Sequence, residues 1–352
     1  MTTNPPVVTT PPDEVTVPFQ ISFTSAEIQA LTIQQQLQQV RDNAGINDSV
    51  TLASPNPLTA SKGGPIVDVS PTPTLSDSYA RRWTFFVEGL GGGVTVDTTG
   101  NANGYDFDTI GAMMGASYLV NDHFAIGGMG GYTRTDASLV NGGSIEADSY
   151  RGAVFATVFS GGFYLDGQVG LAHNTYDIER ASLLGRATGS TDGLEFSTLI
   201  NGGYDHHIDD LTLGVFSSLG YTRVNFNSFT ETGSLAPLSY PDQHQESLRS
   251  NLGVRIAYST EVGRMTLTPQ ARVSWQHEFL DSTQSIDSNI AADPGPVLTA
   301  NGPHIGRDSL LLSAGLHLQI TPVVGAYAFY GSQIGRTNYN SHNVTAGVSV
   351  RF

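Results

Sequence analysis

Apolar and polar side chains alternate over the last eleven residues of this chain. From His342 to Phe352, every second residue is apolar and the residues between are polar or glycine. Successive side chains of a β-strand point to opposite sides, so this stretch predicts a strand with one apolar and one polar face. The apolar face carries Val344, Ala346, Val348, Val350 and Phe352, and the polar face carries Asn343, Thr345, Gly347, Ser349 and Arg351.

The same alternation recurs upstream and predicts eleven further strands. The predicted strands cover residues 82–97, 103–120, 123–138, 144–160, 163–178, 190–206, 211–228, 245–259, 264–280, 307–320, 323–334 and 342–352. Their polar faces are too large and too charged for a sandwich core, and their apolar faces are too continuous for contact with water. A lipid-facing exterior and a hydrated lumen accommodate both faces. The pattern therefore predicts an all-β fold, a 12-stranded antiparallel transmembrane β-barrel.

The connections between the predicted strands support a barrel independently. Five are tight and fall at every second position: Asn121-Asp122, Ser160–Gly162, Ile208–Asp210, Glu261–Gly263 and Thr321-Pro322. Outer-membrane barrels alternate short periplasmic turns with longer outer loops and have an even number of strands. Twelve strands with both ends in the periplasm require this pattern. Aromatic residues near the tight turns, including Tyr164 and Tyr327, are expected to form an interfacial girdle on the outside of the barrel together with Trp83 and Phe352.

Charged residues on the polar faces are predicted to line the pore. They are Arg151, Asp166, Arg249, Arg255, Arg272, Glu278 and Arg351. One interpretation is that they are solvated or pair with one another and keep a wet interior rigid. The other is that they hold a helix in the pore or set ion selectivity. The sequence leaves both interpretations open.

Residues before the barrel divide into three predicted segments. Residues 1–23 and 43–80 are rich in proline or threonine and are typical of linkers. Residues 24–42 predict a helix, because Thr24 and Glu27 have capping-box spacing and Gly45 follows as a stop. This helix has a narrow apolar stripe, many glutamines and a length of about 27 Å, close to the thickness of a bilayer core. We therefore expect it in the pore, with Gln35, Gln38 and Arg41 facing inward-pointing charges.

Composition narrows the classes of function. Charged residues make up 14% of the 352, no run of about 20 apolar residues predicts a membrane-spanning helix, and cysteine is absent. Thiol catalysis, zinc–thiolate sites and disulfides are therefore excluded. The net charge is −16 and Lys62 is the single lysine, which argues against nucleic-acid binding. The amino terminus has neither the basic start nor the apolar core of a signal peptide, so we expect a processed or truncated form.

Three candidate chemical sites are considered and set aside. The glycine clusters Gly89–Gly93 and Gly127–Gly131 lack the following helix that a phosphate-binding loop requires. The run Asp205–Asp210 contains metal-capable side chains but falls at a predicted tight turn, where polar residues are expected. His173 and Thr175 share a strand face without an evident orienting partner. We therefore predict no enzymatic activity, no catalytic residues, no cofactor and no metal.

Several motifs in this order resemble the translocator domain of type Va autotransporters. Gly104–Gly111 with Gly115–Tyr118 resembles that family's second strand, His123–Tyr132 its third and Val273–Phe279 its ninth. Gln35–Arg41 is similar to the helix that occupies the family's pore. The final strand, with Val348, Val350 and Phe352, resembles the signal that the outer-membrane assembly machinery recognises. The resemblance covers about residues 25–352, with residues 81–352 as the barrel.

The resemblance implies an outer-membrane protein that anchors, translocates and displays an N-terminal passenger in type V secretion. Residues 1–23 are then a linker or a passenger remnant. The implied partners are outer-membrane lipid and lipopolysaccharide, the barrel assembly machinery, periplasmic chaperones and the protein's own passenger, with the barrel as a monomer. Two departures are the long segment after the predicted helix and the absence of a paired-asparagine cleavage site at Asn43. The alternatives are a stand-alone porin-like channel or surface adhesin, and an enzyme active at the barrel rim.

Overall fold

Twelve antiparallel strands close into a barrel in the computed structural model, which describes residues 13–50, 82–182, 185–280 and 283–352. Side chains are described in these ranges except for residues 45–50 and Pro294. Strand β1 pairs with both β2 and β12, and β8 pairs with β9, so the sheet has no open edge. The strands are β1 Trp83–Val96, β2 Tyr105–Asn121, β3 Phe124–Leu139, β4 Ser144–Ser160, β5 Phe163–Ser182, β6 Gly185–Ile208, β7 Leu211–Phe226, β8 Gln243–Tyr258, β9 Met265–Glu278, β10 Asp308–Gln319, β11 Val324–Arg336 and β12 Tyr339–Arg351. The predicted 12-stranded barrel is confirmed.

The last strand shows how the alternation divides the two faces. Val344 and Val348 are 48% and 50% exposed on the outside of the barrel, whereas Thr345 and Ser349 are buried on the inside. The same division runs along the other strands, where exposed aliphatic and aromatic residues alternate with buried ones. The chain therefore presents a continuous apolar exterior to lipid, as the sequence pattern predicts.

Tight turns connect the strands at one end of the barrel. The β4–β5 turn consists of Gly161 and Gly162, whose φ angles of 56° and 88° suit a two-residue hairpin with both residues in the left-handed region. At the other end of the barrel, the sequence predicted a connection over residues 179–189 between β5 and β6. This prediction is wrong, because β5 runs to Ser182 and β6 begins at Gly185. Residues 179–182 and 185–189 extend the β5–β6 ladder, and their backbone groups pair across it.

A second, small sheet covers the loop-bearing end of the barrel. Its four strands are Phe229–Thr230, Leu238–Tyr240, Ser285–Ile290 and Asp293–Asn301. A buried ion pair supports it: Arg180 donates from Nε and Nη2 to Glu231 at 2.6 and 2.7 Å. Glu231 also accepts the Leu238 backbone N–H and the Tyr240 hydroxyl. Periodicity did not predict this sheet, because its strands are short and its two hairpins are joined by a pairing of Ser239 with Asn289, 50 residues apart.

The N-terminal helix lies inside the barrel and is longer than the sequence predicted. A 3-10 turn at Asp13–Thr16 leads into α1, Val17–Val50, which is about 51 Å long at 1.5 Å per residue. The predicted start at Thr24 is wrong, because the apolar run before it packs against the barrel wall and Pro18 is tolerated in a first turn. In the described parts of the chain, no helix is both long and apolar enough to span a membrane.

The predicted linkers differ from the structure where they are described. Residues 13–23 belong to the 3-10 turn and α1, and α1 continues to Val50 rather than ending at residue 42. The remainder of the predicted linkers, residues 1–12 and 51–80, lies outside the described residues. The girdle prediction is also wrong for two residues, because Tyr164 and Tyr327 are buried on the lumen side. Trp83 and Phe352 are exposed on the outside, as predicted.

Candidate functional site: the helix-filled pore

The direction of α1 in the pore follows from its contacts at each end. Near its beginning, the ring of Phe19 stacks on Phe226 at 4.2 Å, and Phe226 ends β7 at the loop-bearing end of the barrel. Near its other end, Arg41 donates to Thr157 at 3.3 Å and lies over the Tyr164 ring, beside the β4–β5 tight turn. The helix therefore begins at the loop-bearing mouth and runs toward the tight turns.

An apolar plug fills the loop-bearing mouth around the first turns of α1. Phe19 and Val15 are fully buried in it, together with Leu238 and Ile286 from the small sheet. Ser22 and Tyr176 share a hydrogen bond of 2.5 Å at its lower boundary. Fully burying side chains of this size contributes roughly 1.5–3 kcal/mol each. The plug therefore joins the helix, the barrel wall and the outer loops.

A collar of loop residues holds the 3-10 turn above the plug. Asp13 accepts hydrogen bonds from the backbone N–H and the side-chain amide of Asn103 at 2.7 and 3.2 Å. Glu14 accepts a hydrogen bond from the Asn141 amide. Burial raises the pKa of Glu14 to about 7, and the adjacent Asp13 contributes in the same direction. Loop residues of the barrel thus pack closely around the 3-10 turn at this mouth.

Two ion-pair networks tie the middle of α1 to the wall. Arg151 donates to both carboxylate oxygens of Glu195 at 3.1 and 2.7 Å and also to Gln29 on the helix at 3.2 Å. Across the pore, Arg249 donates to Glu278 and to Glu27 on the helix, each at 2.8 Å. Bidentate and charge-assisted bonds of this kind fix orientation as well as adding energy.

A third polar contact joins the helix to β1 and β11 without a basic residue. The Thr32 hydroxyl donates to Glu88 at 2.7 Å, and the Tyr327 hydroxyl donates to the other Glu88 oxygen at 3.0 Å. The Gln36 amide donates to the Tyr327 oxygen at 2.7 Å. Thr32 thus binds the Glu88 carboxylate directly, and Gln36 is linked to the same carboxylate through Tyr327.

The narrow apolar stripe of α1 packs on an apolar part of the wall. Ile28, Ile33 and Leu37 are buried there. Their partners on β1–β4 are Phe86, Leu90, Met113, Met129, Ala153 and Phe155. The helix thus lies against β1–β4, and the space left in the pore is on the opposite side.

The inner end of the site contains two carboxylates that arginine engages. Arg41 forms an ion pair with Asp166 at 2.5 Å, and Asn201 donates to the second Asp166 oxygen at 2.9 Å. Arg255 donates from Nε and Nη2 to Asp205 at 2.7 and 2.6 Å. Asp42 of the helix lies 3.9 Å from Arg255. Arg41 and Asp42 therefore attach α1 to the wall near the tight turns, as Phe19 does at the loop-bearing mouth.

The remaining predicted pore residues lie around the space beside the helix. Gln38 donates to Gln270 at 2.7 Å, and Gln35 lines a cavity of about 140 Å³ together with Arg249 and Arg272. Arg351 shares a strand face with the inward-facing Ser349. Of the predicted assembly signal, Val348 and Phe352 are exposed on the outer surface and Val350 is half-buried on that face.

Candidate residues for other chemistry do not assemble into a catalytic site. His173 and Thr175 point to the outside of the barrel. Asp205 points inward to Arg255, whereas His206 and His207 are exposed. Neither arrangement brings a nucleophile, a base and an orienting group together, which is the geometry that nucleophilic catalysis requires.

Sequence reasoning missed four acidic residues of the pore: Glu27, Glu88, Glu195 and Asp205. Alternation identifies Glu195, since it falls in phase with inward positions of β6. Glu88 was hidden because β1 is apolar on both faces, with Phe85 outside and Phe86 inside. The pairing of Arg249 with Glu27 required the helix register, which no local pattern provides.

Most of the barrel matches a known protein family. The Autotransporter beta-domain family matches residues 85–331. The extracellular serine protease of Serratia marcescens is 26% identical over 263 residues, covering 72% of this chain and 24% of that protein. The chain thus spans about a quarter of the length of this relative.

Solved structures that share this fold include domains of two autotransporters. The translocator domain of NalP from Neisseria meningitidis has a TM-score of 0.63 at 18% identity, covering 77% of this chain and 88% of that one. The beta domain of the Bordetella autotransporter BrkA has a TM-score of 0.60 at 16% identity, covering 77% and 100%. These findings do not favour the stand-alone porin or adhesin alternative. The chain belongs to the autotransporter β-domain family, and it is an outer-membrane β-barrel of type V secretion.

Proposed function

We propose that this barrel carries the polypeptide preceding Asp13 through its pore and displays it at the cell surface, with α1 remaining as the plug. The observation that carries the proposal is the direction of the helix. Because α1 begins at the loop-bearing mouth, a chain extending N-terminally from Asp13 starts on the outer side. The tight turns lie at the opposite end, as expected for the periplasmic side.

The inward charges act, in this proposal, to hold the helix. Arg151, Arg249 and Asp166 each contact both the wall and α1. Glu278 and Arg255 serve mainly to pair wall residues, since their bonds run to Arg249 and Asp205. The two interpretations of the pore charges are thus combined: wall pairs fix the arginine orientations, and the arginines then bind the helix.

The outer surface supports insertion and lipid contact. We infer that Val348, Val350 and Phe352 form the signal read by the outer-membrane assembly machinery, with periplasmic chaperones delivering the unfolded chain. The exposed apolar band would contact outer-membrane lipid and lipopolysaccharide, and the closed sheet suits a monomer. The barrel itself acts as a transport module without catalytic activity. Nucleic acid is not among its partners, given the net charge of −16.

Residue 1 should be accessible from outside intact cells. An epitope fused before Met1 is expected to bind antibody without permeabilisation, because the helix begins at the outer mouth. An epitope inserted between Gly161 and Gly162 provides the periplasmic control and should bind only after permeabilisation. An insertion near Gly100, in the β1–β2 connection, provides the surface control. If the N-terminal epitope bound antibody only after permeabilisation, as the periplasmic control does, the result would contradict the proposal.

A further inference from the structure

One arginine of the pore differs from the others in its partners. Arg272 of β9 contacts the helix through one long bond from Nη2 to Gln34 at 3.5 Å, and its guanidinium lies 4.4 Å above the Phe216 ring. Within the described ranges, no carboxylate pairs with it, whereas Arg151, Arg249 and Arg255 each bind at least one. A guanidinium has five N–H donors, so most of those on Arg272 have no acceptor among the described residues.

The surroundings of Arg272 add positive potential. Arg255 is its direct cross-strand neighbour in the β8–β9 ladder, and like charges placed opposite each other repel. Arg41 also lies close enough to repel it. The nearby carboxylate Asp166 already accepts from Arg41 and Asn201. The positive charge of Arg272 is therefore not neutralised locally by the described residues.

Arg272 faces the cavity of about 140 Å³ between α1 and the far wall. Among the described residues, the charged side chains that line the cavity are Glu27, Arg249 and Arg272. Glu27 accepts from Arg249 at 2.8 Å and from Gln276 at 2.9 Å, so it is not available to Arg272. Ser274 lines the cavity two residues further along the same strand face. The volume is sufficient for a small ion with several waters.

The cavity also has unpaired acceptors that imply bound water. The Gln35 Oε1 and Asn251 Oδ1 atoms are buried on its wall, and neither has a hydrogen-bond partner in the part of the chain that the structure describes. An amide oxygen requires a donor, and a cation such as Arg272 requires an acceptor. A hydrated anion meets both requirements: the anion takes the arginine N–H groups, and its waters donate to the amide oxygens.

We propose that this cavity binds a small inorganic anion at Arg272. The anion neutralises the positive charge of this arginine, with which no described carboxylate of the wall pairs. Chloride is the probe, because it is monovalent, compact and present in ordinary buffers. The site depends on the helix being in place, since Gln34 and Gln35 form one side of it. It does not depend on what the barrel secretes.

Chloride titration of the whole chain in a nonionic detergent tests the site, with the ³⁵Cl linewidth as the readout. We expect wild-type protein to give a saturable excess linewidth that nitrate displaces. Arg272→Gln should weaken the binding by about tenfold or more, because it removes the charged donor. Ser274→Asp should do the same by supplying an internal counter-charge. The matched control is Arg134→Gln, an exposed arginine on the outer surface that already pairs with Glu146.

Heat-modifiable migration establishes that each variant is folded before the titration. Wild-type protein without saturable broadening would overturn the proposal. Folded Arg272→Gln that retains wild-type binding would also overturn it, and so would equal loss in the Arg134→Gln control. Failure of the N-terminal epitope experiment would leave this result unaffected, since chloride binding is measured on purified protein.

Discussion

Arg249 Nη1 on β8 donates to Glu27 Oε2 on the pore helix at 2.8 Å, and this bond links the helix to the barrel wall. Arg249 also donates to Glu278 of the neighbouring strand, so its orientation is fixed from the wall side. The pair is largely buried, with side-chain exposures of 11% and 19%. Removing Glu27 should therefore loosen the helix without leaving the arginine unpaired.

Glu27→Ala should increase the fraction of time that the pore is open. Losing the charge-assisted bond to Arg249 costs about 1.5–3 kcal/mol of helix binding, and the Gln276 bond to Glu27 is lost with it, while the Arg249–Glu278 pair keeps the wall intact. Single-channel recording in planar bilayers measures the effect as more frequent opening events. Gln35→Ala is the control, since the Gln35 oxygen has no protein partner. Equal opening in the two variants would show that the ion pair does not hold the helix.

The buried ion pair beneath the outer sheet should stabilise the loops. Arg180→Ala leaves Glu231 buried without its arginine and should cost about 3–5 kcal/mol. Arg134→Ala removes an exposed arginine that pairs with Glu146 and should cost less than about 1 kcal/mol. Limited proteolysis of residues 227–242 measures the loss of protection. Similar cleavage rates in the two variants would contradict the assigned role of the pair.

Docking of the 3-10 turn should weaken as pH rises. The pKa of Glu14 is raised by burial from 4.5 to about 7, so the folded state binds this proton more tightly than the unfolded chain. The stabilising contribution is fully present below about pH 4.5 and is lost as pH rises through about 7. Its upper limit is about 3 kcal/mol at 1.36 kcal/mol per pKa unit.

Hydrogen exchange of residues 13–16 and of the Asn103 amide provides the measurement. We expect greater protection at pH 5 than at pH 8 after correction for the intrinsic exchange rate. Glu14→Gln should remove this difference, because the amide does not titrate. A pH dependence that persists in Glu14→Gln would assign it to another group.

The two faces of the last strand should respond differently to the same charge. Val348→Asp places a carboxylate on the lipid side, where a charged side chain costs up to about 2–4 kcal/mol at the midplane and less toward the interfaces. Ser349→Asp places it toward the pore, where inward charges already exist. The amount of heat-modifiable barrel in outer membranes should fall for the first variant only. Equal losses would refute the assembly role assigned to the outer face.

Sequence alone predicted the barrel because each strand repeats the same physical requirement at every second residue. The same rule contained a signal that was overlooked: Phe163 and Tyr164 are adjacent, so only one of them can face lipid. Tyr164 faces inward and lies under Arg41. The start of α1 and the small outer sheet were not predictable in this way. The residues before Thr24 become helical against a wall that contains Phe226, which lies about 200 residues later in the chain.

The acidic partners in the pore show the same limit. The alternation identifies which side chains face the lumen, but pairing Arg249 with Glu27 requires the axial position of the helix. The sequence assigned seven pore charges to a strand face, but it did not predict which residues they bond to.

The central claim is that α1 fills the pore, and the conductance of a barrel lacking it tests this most directly. Deletion of residues 1–45 should leave a heat-modifiable barrel, because the strand ladder closes without the helix. Its single-channel conductance should rise several-fold over that of the full chain, since the ion-pair networks and the apolar plug are removed from the lumen. Deletion of residues 1–12 alone is the control and should leave conductance unchanged. A folded 1–45 deletion with the conductance of the full chain would contradict the account.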